Sequence, residues 1–171
     1  MVPVERSTAR LIKKLQKKGV PVIALTARSE ELVETTLQQL KKNKIDFSCC
    51  GLFKDDFIFT PAGSTKSVIC KKNVVFCNGG QKGPILVELL DRARSLDHRV
   101  ITHVVFADDS LKHVVNVDQA LQKNGVSCAC FHYTNVDVSK FNPAKAEREF
   151  EKFLVDLKKV NPELYAQLPV I

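Results

Sequence analysis

The stretch Val104-Val105-Phe106-Ala107-Asp108-Asp109 decides how this chain is read: an apolar run that ends in two adjacent carboxylates. A short run of β-branched and aromatic residues reads as a strand buried in a parallel sheet. Two acids at its carboxyl end pack poorly and ligate a hard cation such as Mg²⁺ well. Ligands of open α/β sheets bind just beyond the carboxyl ends of the strands. The plainer alternative is that Asp109-Ser110 caps the helix that follows.

Outward from that strand, helices and strands alternate. Residues 110–124 predict a helix closed by Asn124-Gly125, and 126–133 a further strand. On the amino-terminal side, 82–95 predicts a helix with Ile85, Leu86, Leu89 and Leu90 inward. Earlier still come a helix over 5–18 with Leu11, Ile12 and Leu15 on one face, stopped by Gly19, and a strand over 20–25. A helix over 29–42 follows, with Ser29 as its N-cap, and then a short strand over 46–52. Residues 53–78 differ in character: short β runs at 57–60, 67–70 and 74–77, with turns at 61–64 and 71–73, predict an antiparallel hairpin excursion. A long helix over 143–160 carries Phe150, Phe153, Leu154, Leu157 and Val160 as its stripe. Strands separated by helices predict βαβ units, a mostly parallel sheet and a Rossmann-like three-layer α/β sandwich.

Composition bounds the functions open to such a fold. At 171 residues with 44% hydrophobic content, the chain suits a single globular domain over 1–171. No apolar run reaches membrane-spanning length, and the first residues lack the apolar centre of a signal peptide, so a cytoplasmic protein is the expectation. The formal charge is +7, gathered in Lys13/Lys14/Lys17/Lys18, Lys41/Lys42/Lys44 and Lys71/Lys72. These clusters read as a solvated surface, or as a contact for an anionic partner. No aromatic residues are interleaved with them, which argues against a nucleic-acid platform. Six cysteines form no C-x-x-C pair; they read as reduced core thiols rather than a zinc site or disulfide framework.

Three pieces suggest one site. Asp108 and Asp109 are the first. The second is Leu25-Thr26-Ala27-Arg28, a strand ending in a hydroxyl before a helix, able to offer an OH and backbone N–H groups to a phosphate. The third is Gly79-Gly80-Gln81-Lys82-Gly83-Pro84, where glycines permit close backbone approach and Lys82 can neutralise a phosphoryl group or carboxylate. It is no P-loop, since G-x-x-x-x-G-K-[ST] is absent.

In this order and spacing the three pieces resemble the haloacid dehalogenase-like (HAD) superfamily. Within it the phrases Pro21-to-Arg28, Phe59-Thr60-Pro61-Ala62-Gly63, Val105-to-Lys112 and Phe131-His132-Tyr133-Thr134 are similar to a little-characterised family of predicted phosphatases from intracellular bacteria. The resemblance implies that Thr26 and Lys82 bind a phosphoryl group and that Asp108, with Asp109, holds Mg²⁺. It also implies an Asp-x-Asp nucleophile motif on a strand before Thr26, and a cap. Neither is present: no Asp occurs before Asp46. Asp55-Asp56 lacks a leading apolar strand, and Asp137 lacks a second Asp. Covalent catalysis by a carboxylate needs that residue in line with phosphorus. The expectation is a HAD-like domain, amino-terminally incomplete, that keeps the phosphate and Mg²⁺ half of a site and is inactive alone. The alternatives are a fragment of a Mg²⁺-dependent phosphomonoesterase completed by a further segment or partner chain, and a basic, non-enzymatic binding module. Partners expected are a phosphate-containing small molecule and a protein, or a second copy, at open sheet strands. The pairing of the strands ending at Thr26 and Ala107 discriminates among these.

Overall fold

The computed structural model describes residues 7–134 throughout and, further on, Arg148, Glu151, Lys152, Val155, Lys158, Lys159 and Pro162. The chain divides into two compact units, Met1–Asn135 and Val136–Ile171. In the second unit the seven described residues are helical and exposed. The rest of the helix expected over 143–160, and Asp137, lie outside the described residues.

In the first unit, α1 (Thr8–Lys17) leads to β1 (Ala24–Thr26), a single 3-10 turn (Glu30–Leu32) and α2 (Val33–Lys42). Then come β2 (Phe57–Phe59), β3 (Val68–Lys71), β4 (Val74–Phe76), α3 (Lys82–Asp97), β5 (His103–Asp108), α4 (Leu111–Lys123) and β6 (Ser127–His132). Gly19 ends α1 with φ +73°, a conformation that glycine adopts without Cβ strain.

The mostly parallel Rossmann-like sandwich expected from the alternation of elements is not what forms. The strands make a four-stranded mixed sheet, ordered β1-β4-β3-β2, and a separate parallel pair, β5-β6. β1 runs parallel to β4, whereas β4-β3 and β3-β2 are antiparallel. The segment expected to be a hairpin excursion therefore supplies three of the four strands of the larger sheet. The physical reason lies in its burial. Val74, Val75 and Phe76 are 2%, 0% and 1% exposed. Val74 and Phe76 pack with Val33, Phe47, Ile12 and Leu37 on the α1/α2 face, while Val75 and Cys77 pack with Ile85, Leu89 and Ala93 of α3 on the other. A strand apolar on both faces belongs inside a sheet, with helices on either side.

The β3-β4 turn is Lys72-Asn73, both left-handed (φ 51° and 59°), the backbone twist that two-residue hairpins prefer. Asn73 is buried and does a second job. Its side chain accepts from Phe53 N–H and donates to Phe53 C=O, both at 2.8 Å. A Cβ on Gly51 would fall 2.0 Å from the Asn73 Cγ, so only glycine fits there. These contacts hold the loop of residues 43–56 against the sheet. The short strand expected over 46–52 does not form. Asp46 turns the chain instead, accepting from Ser48 N–H (2.8 Å) and Ser48 hydroxyl (2.6 Å). Leu11, expected inward, is exposed. Ser29 does not cap α2; its hydroxyl donates to Glu31.

A third cluster joins the two sheets. Leu86 of α3 and Val117 and Leu121 of α4 bury Val126, and Ile23, Leu25, Val104 and Phe106 pack against them. α3 and α4 meet closely at Gly83, where a Cβ would lie 2.4 Å from the Asn116 carbonyl oxygen. The Asn116 side chain accepts from Gly83 N–H at 2.8 Å, satisfying one of the free donors of the first turn of α3.

Candidate ligand cleft at the strand ends

Thr26 is the last residue of β1. Its carbonyl accepts from Cys77 N–H (2.8 Å), locking it to the end of β4. Its hydroxyl oxygen accepts from Arg28 N–H at 3.3 Å, which bends the chain. The turn is then stitched to the one after β4: Ala27 C=O accepts from Gly79 N–H and Arg28 C=O from Asn78 N–H. Asn78 and Gly79 are both left-handed. Gly80 follows, where a Cβ would stand 2.8 Å from the Cys77 carbonyl oxygen. This tight path delivers Lys82 to the first position of α3, buried below the end of β4.

Asp108 ends β5. Its carbonyl accepts from Tyr133 N–H at 2.8 Å, anchoring it beside the end of β6. One carboxylate oxygen accepts from Lys82 Nζ at 2.6 Å, and both side chains are only 7% exposed. The other accepts from Ser110 N–H at 2.9 Å and lies 3.3 Å from His113 Nδ1. Burial pushes the Asp108 carboxyl upward, but the hydrogen bonds from Lys82 and Ser110 and the charges of Lys82 and His113 outweigh it and hold it below its ordinary value. Beneath, burial pushes the Cys77 thiol up to about 11, so it stays a thiol. The Ser110 side chain makes no capping bond; the Asp108 carboxylate serves the turn instead.

Thr26, Lys82, Asp108 and Asp109, the four residues marked in the sequence, line one open cleft of about 560 Å³, together with Arg28 and His113. Asp109 is exposed, and its carboxylate has no hydrogen-bond or ion-pair partner among the described residues. The sequence reading missed Arg28, His113 and Tyr133 as lining residues. His113 was within reach, since it stands on the first turn of α4 five residues after Asp108. Tyr133 depended on knowing that Asp108 pairs with His132 across β5-β6. Arg28 is a lining residue but not a free cation: its guanidinium donates to Thr36 Oγ1 and Gln39 Oε1 of α2, each at 2.8 Å.

The structure thus defines a two-sheet α/β domain with a buried Lys–Asp ion pair under a cleft at its strand ends. The chain belongs to the family described as "Protein of unknown function (DUF2608)", which it matches over residues 1–163. That match corrects the assignment to the HAD-like superfamily and, with it, the reading as a phosphatase-like hydrolase. A relative from Chlamydia trachomatis serovar D, named "Putative outer membrane protein", is 28% identical over 141 residues, 82% of this chain. The chain spans about half (48%) of that relative's length. No solved structure matches. Among the described residues, no helix is long and apolar enough to cross a membrane.

Proposed function

We propose that this domain is a binding module that takes a divalent cation of the Mg²⁺ class and a phosphate-containing small molecule together, without turning the ligand over by itself. The observation that carries this reading is the 2.6 Å Lys82–Asp108 pair, shielded from water at the floor of the cleft. Alone, an anion meets a lysine already neutralised, and a cation meets a carboxylate already committed. Arriving together they exchange partners: Asp108 and Asp109 take the cation through oxygen ligands, and Lys82 turns to the phosphoryl oxygens, with the Thr26 hydroxyl beside it. The coupling is reciprocal, each ligand tightening the other by the same factor. The carboxylates among the described lining residues are Asp108 and Asp109. Both are used as ligands, which leaves neither to attack phosphorus.

The test is calorimetric titration of the full chain with inorganic phosphate, with and without millimolar Mg²⁺. Phosphate is expected to bind at least about tenfold tighter with Mg²⁺, within the usual range of coupling energies. Asp108→Asn removes the enhancement, and Lys82→Gln removes phosphate binding in either condition. Equal phosphate affinity with and without Mg²⁺ refutes the reading.

A second reading rests on a separate observation: among the described residues β1 pairs only with β4, and β5 only with β6. Among the described residues both leave one edge open, and both end at the cleft. An extended segment of another polypeptide, apolar on the face toward α3 and α4, would satisfy these edges. Its cost of ordering is offset by main-chain hydrogen bonds to both strands.

A further inference from the structure

Away from the strand ends, α4 and β6 bring three metal-ligating side chains to one point. Cys128 and Cys130 stand two residues apart on β6, so both face α4, and their sulfurs are 2.8 Å apart. Asp118 projects from the middle of α4, and its carboxylate and the two sulfurs all lie within 4.8 Å of one another. The frame is firm. Val117 and Leu121, neighbours of Asp118 along α4, are fully buried against the same side of β6. Gln122 Nε2 donates to one Asp118 oxygen at 2.9 Å, orienting the carboxylate and leaving its other oxygen available. All three residues are half-buried, and among the described residues β6 pairs only with β5, so an ion has a path in from solvent.

We propose that Asp118, Cys128 and Cys130 form a binding site for a borderline-soft divalent cation of the Zn²⁺ class. Two thiolates and one carboxylate are a donor set that suits zinc and disfavours Mg²⁺ or Ca²⁺. Three protein ligands leave a fourth tetrahedral position to water or an outside donor. Two sulfurs bound to one tetrahedral Zn²⁺ at about 2.3 Å stand about 3.8 Å apart. The pair must therefore open by about 1 Å, which small side-chain rotations provide. Binding is balanced as a proton exchange. Each S–H proton leaves to the buffer, two Zn–S bonds form, and the ionised Asp118 contributes a Zn–O bond. The site is chemically distinct from the hard-cation cleft at Asp108, and neither depends on the other.

The test uses the full chain under reductant with Co²⁺ as the optical probe. One equivalent is expected to give visible bands of tetrahedral cobalt and a near-ultraviolet thiolate-to-cobalt charge-transfer band, both abolished when one equivalent of Zn²⁺ displaces the cobalt. Cys128→Ser and Cys130→Ser, made singly, are each expected to halve the charge-transfer intensity and to weaken Co²⁺ by more than about a hundredfold, exceeding the usual loss from a supporting residue. Asp118→Asn keeps the full thiolate band with weaker binding. Cys49 and Cys50, exposed and half-buried near Asp46, are the competing thiols; Cys49→Ser/Cys50→Ser is expected to leave the spectrum unchanged. Absence of a charge-transfer band at millimolar Co²⁺, or a band that survives in Cys128→Ser and Cys130→Ser but is lost in Cys49→Ser/Cys50→Ser, overturns the assignment. Proton release measured by indicator dye on adding Zn²⁺ supplies a readout that needs no variant: about two protons per ion are expected, and none overturns the site.

Discussion

Replacing Lys82 by Met keeps the aliphatic stem and removes the ammonium, so it isolates what the buried ion pair does. Both partners are 7% exposed and 2.6 Å apart, which places them among buried pairs rather than surface ones. Breaking such a pair from one side strands a charge out of water and costs about 3–5 kcal/mol. Asp108 would retain only Ser110 N–H and the neighbouring His113. With a urea m-value of about 1–3 kcal/mol/M, the midpoint falls by at least about 1 M. The pH dependence has a definite sign. Asp108 titrates below its ordinary value in the folded protein. Its contribution is therefore complete above the unfolded carboxyl range near pH ~3.9 and is lost as pH falls through the folded value. In Lys82→Met the burial that raises Asp108 is no longer countered by Lys82. The gap between wild type and variant is thus widest at neutral pH and narrows toward pH ~3. Lys82→Met/Asp108→Leu replaces the pair by apolar side chains and is expected to recover most of the loss. Urea unfolding followed by far-ultraviolet circular dichroism at pH 7 and pH 3 measures all of this. A single variant within about 1 kcal/mol of wild type at pH 7, or a deficit equal at both pH values, refutes the reasoning.

Gly51→Ala forces a Cβ onto the Asn73 side chain, which is held at both ends by Phe53; a loss of about 2–3 kcal/mol is expected in the same unfolding assay. Asn73→Ala removes both buried hydrogen bonds and the residue suited to a left-handed turn, and is expected to cost about as much. Leu89→Ala, at a fully buried position between α3 and the larger sheet, is expected to cost about 2–5 kcal/mol and to lower the thermal midpoint measurably. Thr26→Val is expected to leave stability within about 1 kcal/mol, since its hydroxyl makes only the 3.3 Å bond from Arg28 N–H, while weakening phosphate by several-fold in calorimetry.

How much of this could be read from the chain differs between elements and architecture. The helices that carry Leu37, Leu89 and Leu121 follow from apolar periodicity, because a helix is closed by bonds four residues apart. The strand ending in Asp108 was visible from its short apolar run, and the turn at Lys72-Asn73 from its residues, but the burial expected of that strand does not form: Val104 and Phe106 are half-buried and Val105 is exposed. Strand order was not. β1 meets β4 across a separation of about fifty residues, Ala24 opposite Val74, and nothing local in either strand specifies that partner. Val74-Val75-Phe76 is apolar on both faces, but three residues are too few to separate a central strand from a hairpin arm. The four site residues were marked from strand ends and a glycine-rich turn, yet the family suggested by their order was not the one the chain matches. A strand-end hydroxyl, a helix-start lysine and a strand-end acid recur on any fold whose ligands bind at strand ends, so their order is weaker evidence of descent than of placement.

The edges of β1 and β5 that no described strand pairs bear most directly on whether the domain works alone, and backbone bonding makes the question measurable. Ala24 N–H bonds to Asn73 C=O and Thr26 C=O accepts from Cys77 N–H, so both residues turn their backbone toward β4. Leu25, between them, turns its N–H and C=O the other way. On β5, Thr102 and Asp108 accept from Ser127 and Tyr133, which directs alternate residues to β6 and leaves Val105 and Ala107 facing outward. Val105 is 76% exposed. The amides of Leu25 and Val105 should therefore exchange with solvent deuterium far faster than those of Thr26 and Phe106 in the isolated chain. If one strand from another polypeptide bridges both edges, adding that partner slows Leu25 and Val105 together. If instead two copies associate through β5 alone, Val105 is protected in a concentration-dependent way and Leu25 is not. Slow exchange at both positions in the dilute isolated chain would mean the edges are already satisfied and would remove the case for a completing strand.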